Sequence, residues 1–296
     1  MKSFWSSFLV LLVACQIQAQ IIITANDFGE INDTVRYSNA SVINNNLLIA
    51  ADTNQLWDFS TLTPISQSFS KYQSVASTSL IYAFTFGSSA NLASPRQDMG
   101  MMGINITESF NFYNKNSNDY RLVGYGGNAN GTPLPVSFNN PDIQFRFPMA
   151  YGNQDSSNSD WNISVPNLGY LGETLFRKNT VDAWGTLIIP YGTFECLRVK
   201  SEVTQIDTVY MTSSSIGYLI PQNYIEYTWF AKNMNFPIMK ATISAIGPSS
   251  IIYMDSLRLF ASIESASGSD EVDFSVFPNP ANESFQMSWK TKEQVE

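Results

Sequence analysis

Between residues 21 and 261 no apolar stripe at i, i+3, i+4, i+7 lasts beyond about two turns, whereas alternation with a period of two recurs. From Thr193 to Val203, Leu197 and Val199 share one parity while Arg198, Lys200 and Glu202 share the other. Met239, Ala241, Ile243 and Ala245 alternate with Lys240, Thr242 and Ser244, and Ile251 to Phe260 is a further β-rich run. Such alternation predicts strands with one buried face. Turn chemistry joins them. Phe110–Tyr113 and Tyr120–Val123 flank the polar stretch 114–119, Tyr224–Ala231 and Pro237–Ser244 flank 232–235, and Leu187–Ile189 turns through Pro190-Tyr191-Gly192. Short strands separated by turns predict an all-β body, an antiparallel β-sandwich of jelly-roll-like kind. The Asn-, Gly- and Pro-rich region 124–141 is the one place where a subdomain seam is conceivable.

Composition narrows the chemistry. In 296 residues there is no histidine, which removes the serine–histidine–aspartate triad, the cysteine–histidine pair and the HExxH zinc site. The formal charge of −9 disfavours nucleic acid and anionic membrane as partners. A chain of this length can bury enough surface to be stable without disulfides.

Lys2 followed by the apolar run 8–14 makes a leader too short to span a bilayer, so no transmembrane segment is expected. Small Ala19 after Gln16-Ile17-Gln18 is the expected cleavage position, with Gln20 as the mature terminus. A rival reading exists: Leu12-Val13-Ala14-Cys15 resembles a bacterial lipobox, which would place a lipid on Cys15. Cleavage after Ala19 leaves Cys196 as the single thiol, expected to be a packed strand residue, since no basic partner is available to activate it.

Around Ser262 the chain turns small, polar and acidic, as a linker does (262–273). The motif that follows, Val276-Phe277-Pro278-Asn279-Pro280-Ala281-Asn282-Glu283-Ser284-Phe285, resembles the opening of the type A C-terminal sorting domain of type IX secretion cargo. Prolines 278 and 280 re-aim the chain, and Phe285, Met287 and Trp289 then alternate with Gln286, Ser288 and Lys290. The resemblance implies a small Ig-like β-sandwich, sorting residues Phe277, Pro278, Asn279, Pro280, Ala281 and Asn282, and the type IX machinery as a partner. It covers residues 274–296, whereas the family's pattern runs on for several more strands. The expectation is that the chain is a fragment or that the domain has decayed. The phrases 56–60, 182–187, 190–194 and 227–231 also resemble exported proteins carrying such domains, and bring no activity with them. The resulting organisation is a leader (1–19), a β-sandwich body (20–261), a linker (262–273) and a partial sorting domain (274–296).

Candidate chemistry within the body is diffuse. Asp58, Glu108, Asp182, Glu195 and Glu226 lie in or beside strands, but nothing in the pattern pairs two of them as glycoside hydrolysis requires. Trp57, Trp161, Trp184 and Trp229 are candidate sugar platforms that compete with an ordinary core role, and Trp161 stands out after the polar stretch 152–160. Asp155-Ser156-Ser157-Asn158-Ser159-Asp160 hints at calcium but lacks the glycine and distal glutamate of an EF-hand loop, so a polar surface loop is expected. Asp33-Thr34-Val35, Asp207-Thr208-Val209 and Asp255-Ser256-Leu257 resemble bacterial O-glycosylation acceptors, which marks Thr34, Thr208 and Ser256. No catalytic residue, metal or cofactor is assigned. The reading is an exported surface or extracellular binding or adhesion module that reaches its place through the periplasm, with a glycan or surface ligand as partner. The alternative is a carbohydrate-active enzyme or glycan-binding domain using Asp/Glu chemistry.

Overall fold

The structure, a computed structural model, describes residues 21–41, 45–101, 104–165, 169–212, 215–244, 250–258, 273–277 and 286–290. They divide into two units, Met1–Arg258 and Leu259–Glu296. The leader, Cys15, Ala19 and Gln20 lie outside the described residues, as do most of the expected linker and the motif positions Pro278 to Asn282.

The first unit is built of strands. β1 (Thr34–Ser41), β2 (Asp52–Asp58) and β3 (Pro64–Lys71) precede the short β4 (Leu92–Pro95) and β5 (Met99–Met101). A meander follows: β6 (Ile104–Lys115), β7 (Asp119–Ala129), β8 (Thr132–Arg146), β9 (Gln154–Val165), β10 (Gly169–Ile189), β11 (Gly192–Met211) and β12 (Ile216–Ala231). β13 (Met239–Ser244) and β14 (Ser250–Met254) complete it. Two short helices, α1 (Asn45–Ile49) and α2 (Leu80–Phe86), stay within the two-turn limit read from the sequence. The anticipated hairpins are present: β6–β7, β12–β13, and the tight β10–β11 turn in which Ile189 pairs with Gly192.

The all-β class holds, and its finer form is corrected. Instead of two packed sheets, fourteen strands form one sheet in the order β3-β1-β14-β13-β12-β11-β10-β9-β8-β7-β6-β4, with β2 and β5 joined at the side. Its two ends meet. Gln73, just past β3, exchanges both backbone hydrogen bonds with Ala93 of β4, each 2.9 Å. The sheet is thus a nearly closed antiparallel barrel, and closure covers edges that would otherwise be exposed. Period-two alternation identifies a strand's buried face but not whether that face meets a second sheet or the same sheet curled round. Residues 124–141 fall within the first unit, in the β7–β8 hairpin, whose register shifts between Leu122 and Gly124.

β10 and β11, 21 and 20 residues long, rise roughly 65–70 Å each. Such length serves two neighbourhoods. β10 pairs with β9 over Gly169–Thr180; beyond a bulge at Asp182 its edge passes to β2, in parallel, over Ala183–Ile188. Gly185 permits that hand-over, because a Cβ there would stand 2.1 Å from the Gln55 carbonyl oxygen. The bulge also re-aims Asp182. Its carboxylate grips Arg198 twice (2.9 and 2.8 Å), while Arg198 donates a third bond to the Leu48 carbonyl at 2.7 Å.

Arg198, expected on a polar face, is fully buried beneath Trp57, Tyr227 and Trp229, whose rings lie 4.7–5.6 Å from its guanidinium. In this region both faces of the sheet are covered. On one side Trp57, Trp229, Leu187, Cys196 and Tyr253 form a core under β2 and α1. On the enclosed side Phe28, Tyr120, Leu197, Val199 and Phe230 form another. The opposite end differs. Ile216 to Pro221 of β12 are exposed at every position, with Leu219 70% exposed, so neither face of the sheet is packed there. The barrel is sealed at one end and open at the other.

In the second unit β15 (Asp273–Phe277) and β16 (Gln286–Lys290) pair as an antiparallel hairpin, Phe277 opposite Gln286.

Candidate functional site

Two chambers lie inside the barrel. The inner one, about 310 Å³, is lined from β6, β7, β8, β10, β11, β12 and β13. Phe28 closes it from the sealed end, its ring 4.8–5.8 Å from those of Tyr120, Phe145, Phe147 and Phe230. Phe28 is held there because Asp27, one residue earlier, caps a short turn through the Thr24 backbone N–H (2.8 Å). The same carboxylate takes a bond from Lys232 at 3.0 Å.

The inner chamber's floor is an ion network. Arg177 donates two parallel bonds to Asp142 (3.0 and 2.9 Å) and a third to Glu226 (3.0 Å), which also pairs with Lys240. Burial would raise the Glu226 carboxyl, but Lys240 and Arg177 outweigh it and hold it down at about 2. Two carboxylates and two cations are balanced. Within the interior of a barrel such a network fixes side chains and is poorly suited to turnover.

The outer chamber, about 390 Å³, lies between this network and the open end. Its wall is mostly apolar, from Ile106, Leu134, Val136, Ile163, Leu171 and Val209, with the Trp161 and Tyr125 rings 6.1 Å apart and edge-on. Tyr125, Glu173 and Gln205 line both chambers and form the partition between them. Gln205 Nε2 donates to Glu173 at 3.0 Å and to Asp207 at 2.8 Å, so two carboxylates converge on one amide nitrogen. Gln222 donates to the other Asp207 oxygen. Burial raises the Glu173 carboxyl to about 7, with the Asp207 and Asp142 charges adding to it and Arg96 opposing. The Trp161 indole N–H lies near enough to lower that value, but it completes no hydrogen bond of good geometry. Arg96 is committed elsewhere, its guanidinium stacked 4.3 Å above the Tyr125 ring.

The residues marked from sequence are dispersed. Trp57 and Trp229 are core, 5.8 Å apart and edge-on, and Trp184 packs against the enclosed core. Of the four, Trp161 lines the outer chamber. Of the five carboxylates, Glu226 belongs to the ion network and Asp182 to Arg198. Glu195 accepts from Thr186 at 2.6 Å, and Asp58 holds the Ser60 backbone N–H at 3.0 Å. Glu108 is exposed and bonded to Asn128. The stretch 155–160 is not a loop but part of β9, where successive side chains face opposite ways and cannot converge on one ion. Among the described residues no cluster of three or more Asp, Glu or Cys suits a metal. Cys196 is buried, with its thiol pushed strongly upward by burial, and inert. Thr34 and Ser256 are exposed, whereas Thr208 lines the outer chamber.

Asp142, Glu173, Arg177, Gln205 and Asp207 were missed. The signal was present in β10, where Glu173 and Arg177 share the parity of apolar Leu175 and Val181. A charge on the apolar parity of a strand marks a buried polar site.

The first unit is therefore an all-β barrel, sealed and charge-balanced at one end, with an open, largely apolar chamber at the other. No family model matches the chain, and no curated protein matches it. Among solved structures, a chain from Bacteroides fragilis described as a "putative exported protein with YmcC-like fold" is similar over 77% of this chain and 95% of that one. The identity is 10% and the TM-score 0.31, a likeness that carries no argument. No helix among the described residues is long and apolar enough to cross a membrane.

Proposed function

We propose that this is an exported binding protein that takes a small ligand into the outer chamber of its barrel. The carrying observation is that chamber: about 390 Å³, apolar-walled, beside an open barrel end, with Glu173 and Gln205 at its inner partition. The apolar rim, including Ile216, Tyr218 and Leu219, suits entry of an apolar body. A neutral apolar dye, N-phenyl-1-naphthylamine, tests it. Saturable one-to-one binding that disappears in Leu171→Trp, which fills the chamber, supports the reading. Binding that is absent, or unchanged by the substitution, refutes it.

The export route rests on the leader at 1–19 and the Phe277–Asn282 resemblance, and it leads through the periplasm to the cell surface or medium by type IX secretion. Alanine at Pro278 and Pro280 should hold the protein in the periplasm. Thr34 and Ser256, being exposed, are the better of the three proposed O-glycosylation positions, and intact mass of native material tests them.

A second reading, carbohydrate chemistry, has one observation in its favour. The Glu173 and Asp207 oxygens that share Gln205 Nε2 lie within about 6 Å of each other, near the spacing of a retaining pair. Release of reducing sugar from a glycan panel, lost in Glu173→Gln, would establish it.

A further inference from the structure

The polar end of the outer chamber carries more negative charge than its surroundings neutralise. Each other carboxylate facing the barrel interior has a basic partner: Asp142 has Arg177, Glu226 has Arg177 and Lys240, and Asp155 has Arg146 at 3.8 Å. Glu173 and Asp207 have none among the described residues. Arg96, the nearest cation to bear on Glu173, makes no ion pair with either and lies over Tyr125 instead. What bridges the two is the Gln205 amide, a neutral donor standing where a cation would. The Trp161 indole N–H approaches Glu173 without completing a hydrogen bond of good geometry.

A second, independent feature points to an occupant. Ser109 lines the same chamber and is only 6% exposed, yet its hydroxyl has no hydrogen-bond partner. A buried hydroxyl left unpaired is destabilising, and a ligand that bonds it relieves that cost. The Trp161 ring beside the carboxylates is of the kind that attracts a cation, as the Tyr125 ring already attracts Arg96.

Resting on the binding reading above, we infer that the ligand is an amphiphilic organic cation: an ammonium group held by Glu173 and Asp207, with an apolar body along the Ile106, Val136, Leu171 and Val209 wall. An anionic head would meet two carboxylates in a poorly solvated site. A neutral alcohol would gain the wall but leave the charge unmatched. Nothing is transferred, and the step is binding alone.

The test uses the full chain at pH 8 and three probes with the same tail, octylammonium, 1-octanol and octanoate, each displacing the naphthylamine dye. Octylammonium should bind at least tenfold more tightly than octanol, with octanoate weakest. In the Glu173→Gln/Asp207→Asn double variant, checked for folding by circular dichroism, that preference should fall to within about twofold while octanol affinity persists. Octanol binding as well as octylammonium to the native chain, or octanoate binding best, overturns the head-group inference and leaves the binding reading intact. If none of the three binds and the dye does not either, the binding reading itself fails. Should the double variant not fold, Ser109→Ala serves in its place and should weaken octylammonium by about three- to tenfold; an unchanged affinity counts against the inference.

Discussion

Arg177 gives the sharpest test of the inner chamber. It is 5% exposed, and its three hydrogen bonds hold Asp142, itself 3% exposed, and one oxygen of Glu226. Arg177→Met keeps volume and stem but leaves Asp142 buried with only a long bond from Gln144 at 3.5 Å. Glu226 is spared because Lys240 remains. Removing one partner of a buried pair costs about 3–5 kcal/mol, mostly the penalty of the stranded charge. With a urea slope of about 3 kcal/mol per M, reasonable for a body of this size, the midpoint should fall by about 1–1.7 M. The double variant Arg177→Met/Asp142→Asn removes the stranded charge as well. It should recover more than half of the loss, although each single change is destabilising. Urea unfolding followed by tryptophan fluorescence reads both. A single-variant loss under about 1 kcal/mol, or a double variant no more stable than Arg177→Met, would show that the network is solvated and the barrel interior wet.

Phe28→Ala should cost about 3–5 kcal/mol and increase proteolysis near the sealed end, because four rings lose their shared partner; a thermal midpoint unchanged within 2 °C contradicts this. Gly185→Ala should destabilise by at least 2 kcal/mol in chemical denaturation by forcing β2 off β10, whereas Gly131→Ala, where a Cβ meets nothing within 4 Å but φ is +84°, should cost only the turn strain of about 1 kcal/mol. The pH dependence should show two opposing windows. Glu173, raised to about 7 from an unfolded value near 4.3, binds its proton more tightly when folded, so its stabilisation is complete below about pH 4.3 and is lost as pH rises to about 7. Glu226, lowered to about 2, does the reverse, and its stabilisation is lost as pH falls from about 4.3 towards 2. Glu173→Gln should flatten the stability curve between pH 4.3 and 7 and leave the acid limb intact. A wild-type curve that rises across that interval would refute the assignment.

The strand content and three hairpins were legible because alternation and turn residues are local signals. Closure into one barrel was not: it depends on Gln73 meeting Ala93 and on β10 changing partners at Asp182, events set by the whole sheet. Arg198 and Lys200 read alike as solvent-facing, yet Arg198 is buried under three aromatic rings, Trp57 from β2 and Tyr227 and Trp229 from the neighbouring β12. The site was half legible. Trp161 was marked, whereas Glu173 and Asp207 carry meaning only once β10 and β11 are in register, Glu173 opposite Asp207. Residues 273–277 and 286–290, on either side of the Pro-Asn-Pro motif, pair as a hairpin.

A crystal structure of the protein with N-phenyl-1-naphthylamine bound addresses the claim that the open half of the barrel is a ligand site. The dye's rings should lie in the outer chamber between the Trp161 and Tyr125 rings and the Leu171 wall, with the Arg177–Asp142–Glu226 network undisturbed beneath it. A dye bound only on the outer surface, with side chains filling the chamber, would contradict the account.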